Sequence, residues 1–361
     1  MVALLNTSCQ DNFGIQGDEE TFDNEQNLIG YPVKITITNF LPPSGDYYSG
    51  NTVTSKISFK NSGKLKWTFW VGYSVQDRTG LWYDITSNPV TLYPGQVSSV
   101  QSKSWVVPPD PKITSGSYKV RMAIWSSRPE DGPAIRLDYR EQDSSFMAFN
   151  FIDHFSVFND ARWVKGNHRT PGTTARPGLG FFQPENVTME SGKLLLRHPA
   201  NTKNGGEIES VSPYTYSFGT YRTNMKCPAL PGTITTLFTY EGVDYGDEID
   251  LEIWNDGSGK VIFTIWKSDI SSITGQSVYS NTINLGFDPS VAFHEYRIDF
   301  YPDGISWYID GIQKDKTTLQ SNFPNHSMHL MVNTWWPNWP GWEKYTSNAS
   351  DRFAEYHSIQ H

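Results

Sequence analysis

The chain has 361 residues, 29 basic against 38 acidic side chains, a formal net charge of −9 and 37% hydrophobic content. That length suggests about two domains, and no apolar run approaches the roughly 20 residues that a spanning helix needs, which excludes a helical membrane protein. The acidic balance argues against a nucleic-acid partner, whose phosphates demand a basic face, while 13 Trp, 19 Tyr and 20 Phe point to sheets with aromatic-lined clefts.

Residues 1–30 hold Asp11, Asp18, Glu19, Glu20, Asp23 and Glu25 and no Lys or Arg, so most of the net charge sits there. Little apolar surface and high charge density mean that this segment cannot offset its ordering entropy, and a disordered acidic leader is expected. Within it, Val2-Ala3-Leu4-Leu5-Asn6-Thr7-Ser8-Cys9 resembles the end of a lipoprotein signal, which implies a lipid anchor through Cys9 and a secreted or cell-surface protein; a trimmed terminus explains the same residues equally well. Cys227 is expected to be a buried free thiol that packs as a small hydrophobe.

From 31 to 150, Val33–Thr38, Val53–Phe59, Lys66–Val71, Leu81–Ile85 and Tyr118–Trp125 read as short alternating strands, separated by turn clusters such as Asn61-Ser62-Gly63 and Tyr93-Pro94-Gly95. Regular strands at this spacing without an amphipathic helix predict a β-sandwich of about seven strands. The run Gly116–Trp125 resembles the immunoglobulin-like accessory modules of secreted polysaccharide enzymes. Trp67, Trp70, Trp82, Trp105 and Trp125 are either a sugar-stacking platform on this module or its core packing, with a spacer role the simpler reading.

From 151 to 361 the strand pattern continues, from Phe151–Phe158 to Phe353–Ile359. About 210 residues of strands are too many for a seven-stranded sandwich, so a concanavalin-like β-jelly roll of two larger sheets is predicted. The fold class is therefore all-β, a sandwich followed by a jelly roll.

The sharpest motif is Asp247-Glu248-Ile249-Asp250-Leu251-Glu252-Ile253-Trp254. In a strand, Glu248, Asp250, Glu252 and Trp254 share one face, and Ile249, Leu251 and Ile253 the other. The apolar face must be core, which leaves a row of mutually repelling carboxylates on the opposite side. Glycosidic cleavage needs such a set, with one carboxyl held protonated for the leaving oxygen and another ionised. Neighbouring acids push their protonation equilibria apart. The Cα atoms of Glu248 and Glu252 are about 13 Å apart on a strand, so both side chains must lean inward to approach the ~5–5.5 Å separation of a retaining enzyme.

Glu-Ile-Asp-Leu-Glu at 248–252 is similar to the signature of glycoside hydrolase family 16. The likeness extends through Gly219–Lys226, Thr235–Tyr240, Leu285–Pro289, Phe293–Tyr296, Ile305–Gly311 and Met331–Trp335, over about 151–361. It implies Glu248 as nucleophile, Asp250 as its assistant and Glu252 as general acid/base. One residue between Asp250 and Glu252 matches the lichenase and xyloglucan-transferase branches; the laminarinase, agarase and carrageenase branches usually carry an extra residue and a bulge. The resemblance thus implies a retaining endo-β-glycanase, with β-1,3-1,4-glucan as best substrate. An endo-β-galactosidase and a β-glucan transglycosylase are alternatives within the enzyme class, and a silent lectin is the alternative outside it.

By parity and by the resemblance, Glu207, Phe238, Tyr240, Trp254, Thr264, Trp266, Asn333, Trp335 and Trp336 are expected to bind substrate, since sugar rings stack on aromatic planes. Trp335-Trp336-Pro337-Asn338-Trp339-Pro340-Gly341-Trp342 predicts a cleft-edge loop with at least one exposed ring. Where lichenases carry Glu-Tyr-Arg, this chain has Glu207-Ile208-Glu209, an acid in place of a base. His357 stands where they carry a calcium-ligating Asp, which argues against a structural calcium. The eight His residues show no close ligand spacing, so no metal and no required cofactor are expected. The partner is a polysaccharide, and the chain is expected to be a monomer.

Overall fold

The computed structural model describes residues 33–173, 175–255, 259–339 and 348–361. Cys9 and Trp342 lie outside the described residues. Among the described residues no helix is long and apolar enough to cross a membrane.

Residues 35–149 form two facing sheets. The smaller is ordered Ile35–Leu41, Thr52–Asn61, Gln101–Val106, and the larger Asp46–Tyr48, Arg136–Phe149, Gly116–Trp125, Trp67–Gln76, Trp82–Leu92. Alternation decides what lies between them. In Trp67–Gln76, Phe69, Val71, Tyr73 and Val75 are buried, and Thr68, Trp70, Gly72, Ser74 and Gln76 face out. All five expected strands are present within a residue or two at their starts. Three further strands escaped the sequence pattern, including the longest, Arg136–Phe149, whose Arg-Glu-Gln-Asp-Ser-Ser centre is polar because much of it faces solvent. Of the five Trp, Trp105 is core, at 7% exposure, and the other four are half-buried.

Residues 152–360 build a jelly roll of two eight-stranded sheets. The first runs Trp163–Lys165, Gly206–Ser210, Met328–Trp335, Thr233–Tyr240, Glu248–Asn255, Lys260–Trp266, Tyr279–Asn284, with Thr215–Tyr216 beside Met328–Trp335. The second runs Val187–Glu190, Lys193–His198, Arg352–Gln360, Gly219–Lys226, His294–Tyr301, Gly304–Ile309, Ile312–Thr317, with Ile152–Asp153 beside Arg352–Gln360. Between them lies one core that includes Leu237, Ile249, Leu251, Ile253, Phe263, Ile298, Trp307 and Tyr356. Cys227 belongs to this core as a free thiol, its pKa pushed up to about 12 by burial.

The two sandwiches meet through buried polar groups. Tyr301 donates its hydroxyl to the Ser115 carbonyl at 2.7 Å, Ser115 Oγ donates to the Thr220 carbonyl at 3.1 Å, and Arg162 pairs with Asp110. Both members of that ion pair are nearly buried, so removal of either would strand an uncompensated charge.

Candidate active site

The site is the face of the first jelly-roll sheet that points away from the core. Strand pairing lays its residues out in rows. His329, Tyr240, Glu248 and Trp266 are successive partners across four strands. The next row is Glu209, Met331, Phe238, Asp250, Thr264 and Ser280. Thr236, Glu252, Ile262 and Thr282 form a third, in which Thr236 donates to Asn333 Oδ1 at 2.8 Å, and Asn333 pairs with Glu207. A last row holds Trp335, Ile234, Trp254 and Lys260. Along Glu248–Asn255 the odd-numbered Ile249, Leu251 and Ile253 are fully buried, which fixes the three acids on the open face.

Asp250 is 4% exposed, while Glu248 and Glu252 are half-buried on either side of it. Asp250 stands between Glu248 and Glu252, with the Trp266 indole lowering and Glu248 raising its carboxyl. Burial, and then repulsion from Glu248 and Glu252, hold the Asp250 carboxyl well above the usual range. Burial pushes Glu248 up to about 7, against its hydrogen bond with Asp250, and burial together with Glu248 pushes Glu252 up to about 8. Three acids that cannot all ionise together make a proton-sharing set, with a donor and an acceptor available near neutral pH.

The expected substrate-binding residues divide by accessibility. Tyr240 and Trp266 are half-buried beside Glu248. Phe238, Thr264 and Asn333 lie on the same face at 7%, 7% and 4% exposure and form its floor. Glu207 is 2% exposed, and its two oxygens are taken by His168 Nε2 at 2.8 Å and Asn333 Nδ2 at 3.0 Å, so it supports the floor from beneath instead of meeting solvent. His168 is itself pushed up to about 9, chiefly by that hydrogen bond. Thus a cation does face Glu207, supplied by one of the histidines that showed no ligand spacing in the sequence.

Three expectations need correction. Trp336 follows the strand end, is 1% exposed and packs edge-on against His198 at 5.6 Å, so its ring does not line the open face. Trp335 is on that face but only 2% exposed, buried with Phe182, Ile234, Trp254 and Ile262 under Trp339. Trp254, at 8%, belongs to the same cluster, with the Lys260 ammonium 5.0 Å over its ring. Indoles at one end of the face bury one another, an outcome that strand parity does not encode.

Sequence spacing also missed the one group of potential metal ligands among the described residues, Glu241, Asp247 and His326. Asp247 is fully buried; its Oδ1 accepts the Ser268 N–H at 2.8 Å, and its Oδ2 accepts the Asn325 and His326 N–H groups at 2.5 and 2.8 Å. A carboxylate so filled with N–H donors is poorly suited to a cation and serves as an anchor. His357, at the position discussed for calcium, stands exposed, edge-on to Phe293 at 4.5 Å.

Residues 180–352 match the model of glycosyl hydrolases family 16. A beta-glucanase of Paenibacillus polymyxa is 32% identical over 228 residues, 60% of this chain and 90% of the relative. A beta-glucanase of Bacillus subtilis is 32% identical over 193 residues, 52% of this chain and 74% of the relative. Among solved structures, the Bacillus licheniformis beta-glucanase superposes with a TM-score of 0.51 at 28% identity, covering 58% of this chain and 96% of its own.

Proposed function

The chain belongs to glycosyl hydrolases family 16 and is a glycoside hydrolase, and we propose that it is a retaining endo-β-glucanase that cuts β-1,3-1,4-glucan. The observation that carries the linkage is the unbroken register of Glu248–Asn255. It pairs residue for residue with Thr233–Tyr240 on one side and Lys260–Trp266 on the other, with no bulge among the acids. The one-residue spacing of Asp250 and Glu252 and the beta-glucanase relatives support the same choice.

In this reading Glu252 gives its proton to the glycosidic oxygen as the C1–O bond breaks, and the ionised Glu248 forms a bond to C1. Ester formation removes the negative charge of Glu248, one of the two causes of Glu252's raised pKa. Glu252, now an ionised carboxylate, then takes a proton from water, whose oxygen attacks C1 and frees Glu248. Asp250, on the same face beside Glu248, lowers the Glu248 carboxyl and so tunes it without a bond to the sugar. Tyr240 and Trp266 flank Glu248 as stacking surfaces. The 31–150 segment, a sandwich of three and five strands, serves in this reading as an immunoglobulin-like accessory module, and a polymeric substrate favours a location outside the cell, with Cys9 as a lipid anchor.

The test is release of reducing ends, with product sizing, from lichenan, laminarin, xyloglucan, agarose and mucin glycans. Cleavage of lichenan in preference to the others, with the β-anomer formed first by proton NMR and activity abolished by Glu248→Gln, is the expected result. A chain that leaves lichenan intact while cutting another polysaccharide overturns the substrate; an α-anomer overturns the covalent mechanism.

A further inference from the structure

A cavity of about 390 Å³ opens on the five-stranded sheet of the first sandwich, lined by Trp67, Thr68, Trp70, Thr91, Ser126 and Ser127, together with Lys66. It lies in a separate sheet from the acids at 248–252, and its size falls within the roughly 300–1,000 Å³ of small-ligand sites. Trp67 packs partly against the core and donates its indole N–H to the Ser126 carbonyl at 2.7 Å, which fixes the floor. Trp70 faces outward between the buried Phe69 and Val71 and is paired across the ladder with Trp125. A Cβ on Gly72 would stand 3.0 Å from Trp125 Nε1, so the missing side chain gives that indole room beside the sheet backbone.

Two other outward aromatics of this sheet are already covered. The Arg121 guanidinium lies 4.4 Å from the Trp82 ring, and Arg136 lies 4.4 Å from Tyr139. Among the described residues, Trp70 has only a distant cation, Arg128 at 5.7 Å. Around it are hydroxyls: Thr68 Oγ1 and Thr91 Oγ1 lie 2.8 Å apart and exposed, Ser127 is exposed, and Ser126 is buried at the wall. The single formal charge in the lining, Lys66, is 4.7 Å over the Tyr93 ring. An aromatic plane ringed by neutral hydroxyls, with no carboxylate in the lining, suits a neutral polyhydroxylic chain, whose C–H faces stack while its hydroxyls exchange hydrogen bonds.

We propose that this cleft binds a neutral glycan, a second carbohydrate site on the same polypeptide as the hydrolase. The site would raise the local concentration of polysaccharide at the catalytic face, because a second contact turns capture into an intramolecular event. It goes beyond the proposed substrate, and its ligand class rests on the cleft's own lining.

The test uses the full chain carrying Glu248→Gln, run through native gels containing lichenan, laminarin, xyloglucan or agarose, alone and with Trp70→Ala or Trp70→Tyr. Expected is retardation by at least one polysaccharide, reduced several-fold by Trp70→Ala and partly retained by Trp70→Tyr. In the active chain, hydrolysis of a short soluble oligosaccharide stays unchanged in both Trp70 variants, while hydrolysis of the retarding polysaccharide slows. Equal migration of all three proteins in every gel overturns the proposal, as does a parallel loss of oligosaccharide hydrolysis in Trp70→Tyr. Failure of the substrate reading shows separately, as hydrolysis by the active chain of a polysaccharide other than lichenan while Trp70-dependent retardation persists.

Discussion

Trp307, on the second sheet of the jelly roll, donates its indole N–H across the core to the main-chain oxygen of Asp250 at 2.9 Å. The indole is fully buried and stacks on Phe263 at 5.2 Å and Tyr279 at 5.7 Å. The centre of the acid row is thus held from behind by a residue that never meets substrate. Trp307→Phe keeps most of the stacking and removes the donor. The expected cost is about 1–3 kcal/mol of stability, with a lower kcat and little change in KM, because the displaced element carries the acids and not the stacking rings. Thermal melts with kinetics on the cleaved polysaccharide check this; a fall in KM-dependent binding alone contradicts it.

The raised carboxyls give the protein a pH signature of known sign. Glu252 is near 8 in the folded chain, against an ordinary value of about 4.3. A raised acid favours the folded state below pH ~4, and that contribution is lost as pH rises from there through about 8. Glu252→Gln deletes the loss. The melting temperature of the variant relative to the wild type is therefore expected to climb between pH 4.5 and pH 8, by a few degrees over the range. A constant difference across these pH values would show that Glu252 ionises normally. Activity should fall on the alkaline side as Glu252 loses its proton and on the acid side as Glu248 gains one.

How much of this was legible follows from where each constraint resides. The placement of Glu248, Asp250 and Glu252 on one face needs only a period of two and three apolar neighbours, Ile249, Leu251 and Ile253, all now found fully buried. The Glu207–His168 contact spans 39 residues between elements that meet only after folding, and no local pattern signals it. Arg136–Phe149 was missed because an edge-facing polar strand looks like a loop. Trp335 and Trp336 are expected at the substrate face, and their burial escapes the local pattern because their partners, Phe182 and His198, come from strands 130 or more residues earlier. What depends on one strand is readable; what depends on the meeting of distant strands is not.

The join between the two sandwiches is tight enough to be tested by one methyl group. Gly116 has φ +133°, and a Cβ there would fall 1.7 Å from Tyr301 Oη and 3.1 Å from Thr220 Oγ1. Gly116→Ala is therefore expected to cost about 2–4 kcal/mol, through both backbone strain and displacement of Tyr301 from Ser115. Tyr301→Phe alone should cost about 1 kcal/mol for the lost hydrogen bond. Together the two changes should cost less than their sum, because removal of the hydroxyl takes away the worst clash. Chemical denaturation of the four proteins reads the coupling directly, and strict additivity would mean that the methyl group is accommodated elsewhere.

Asp247, immediately before the acid row, separates an anchoring role from a metal-binding one. Burial alone would raise its carboxyl, but N–H donors from Ser268, His326 and Asn325 outweigh that and hold it below the usual range. A depressed acid stabilises the fold above its ordinary value near 3.9, and that stabilisation is lost as pH falls toward its folded value. Asp247→Asn keeps the shape but points an amide N–H₂ at donors, with an expected cost of about 1–3 kcal/mol at neutral pH. The gap from wild type should narrow as pH drops below about 4. Because Ser268, Asn325 and His326 all converge on this one carboxylate, the loosened segment lies next to Glu248, so kcat should fall with stability. EDTA or added calcium should leave the wild-type melting temperature within a degree, since the N–H groups already fill the carboxylate; a calcium-dependent rise that disappears in Asp247→Asn would assign the Glu241, Asp247 and His326 cluster to a cation instead.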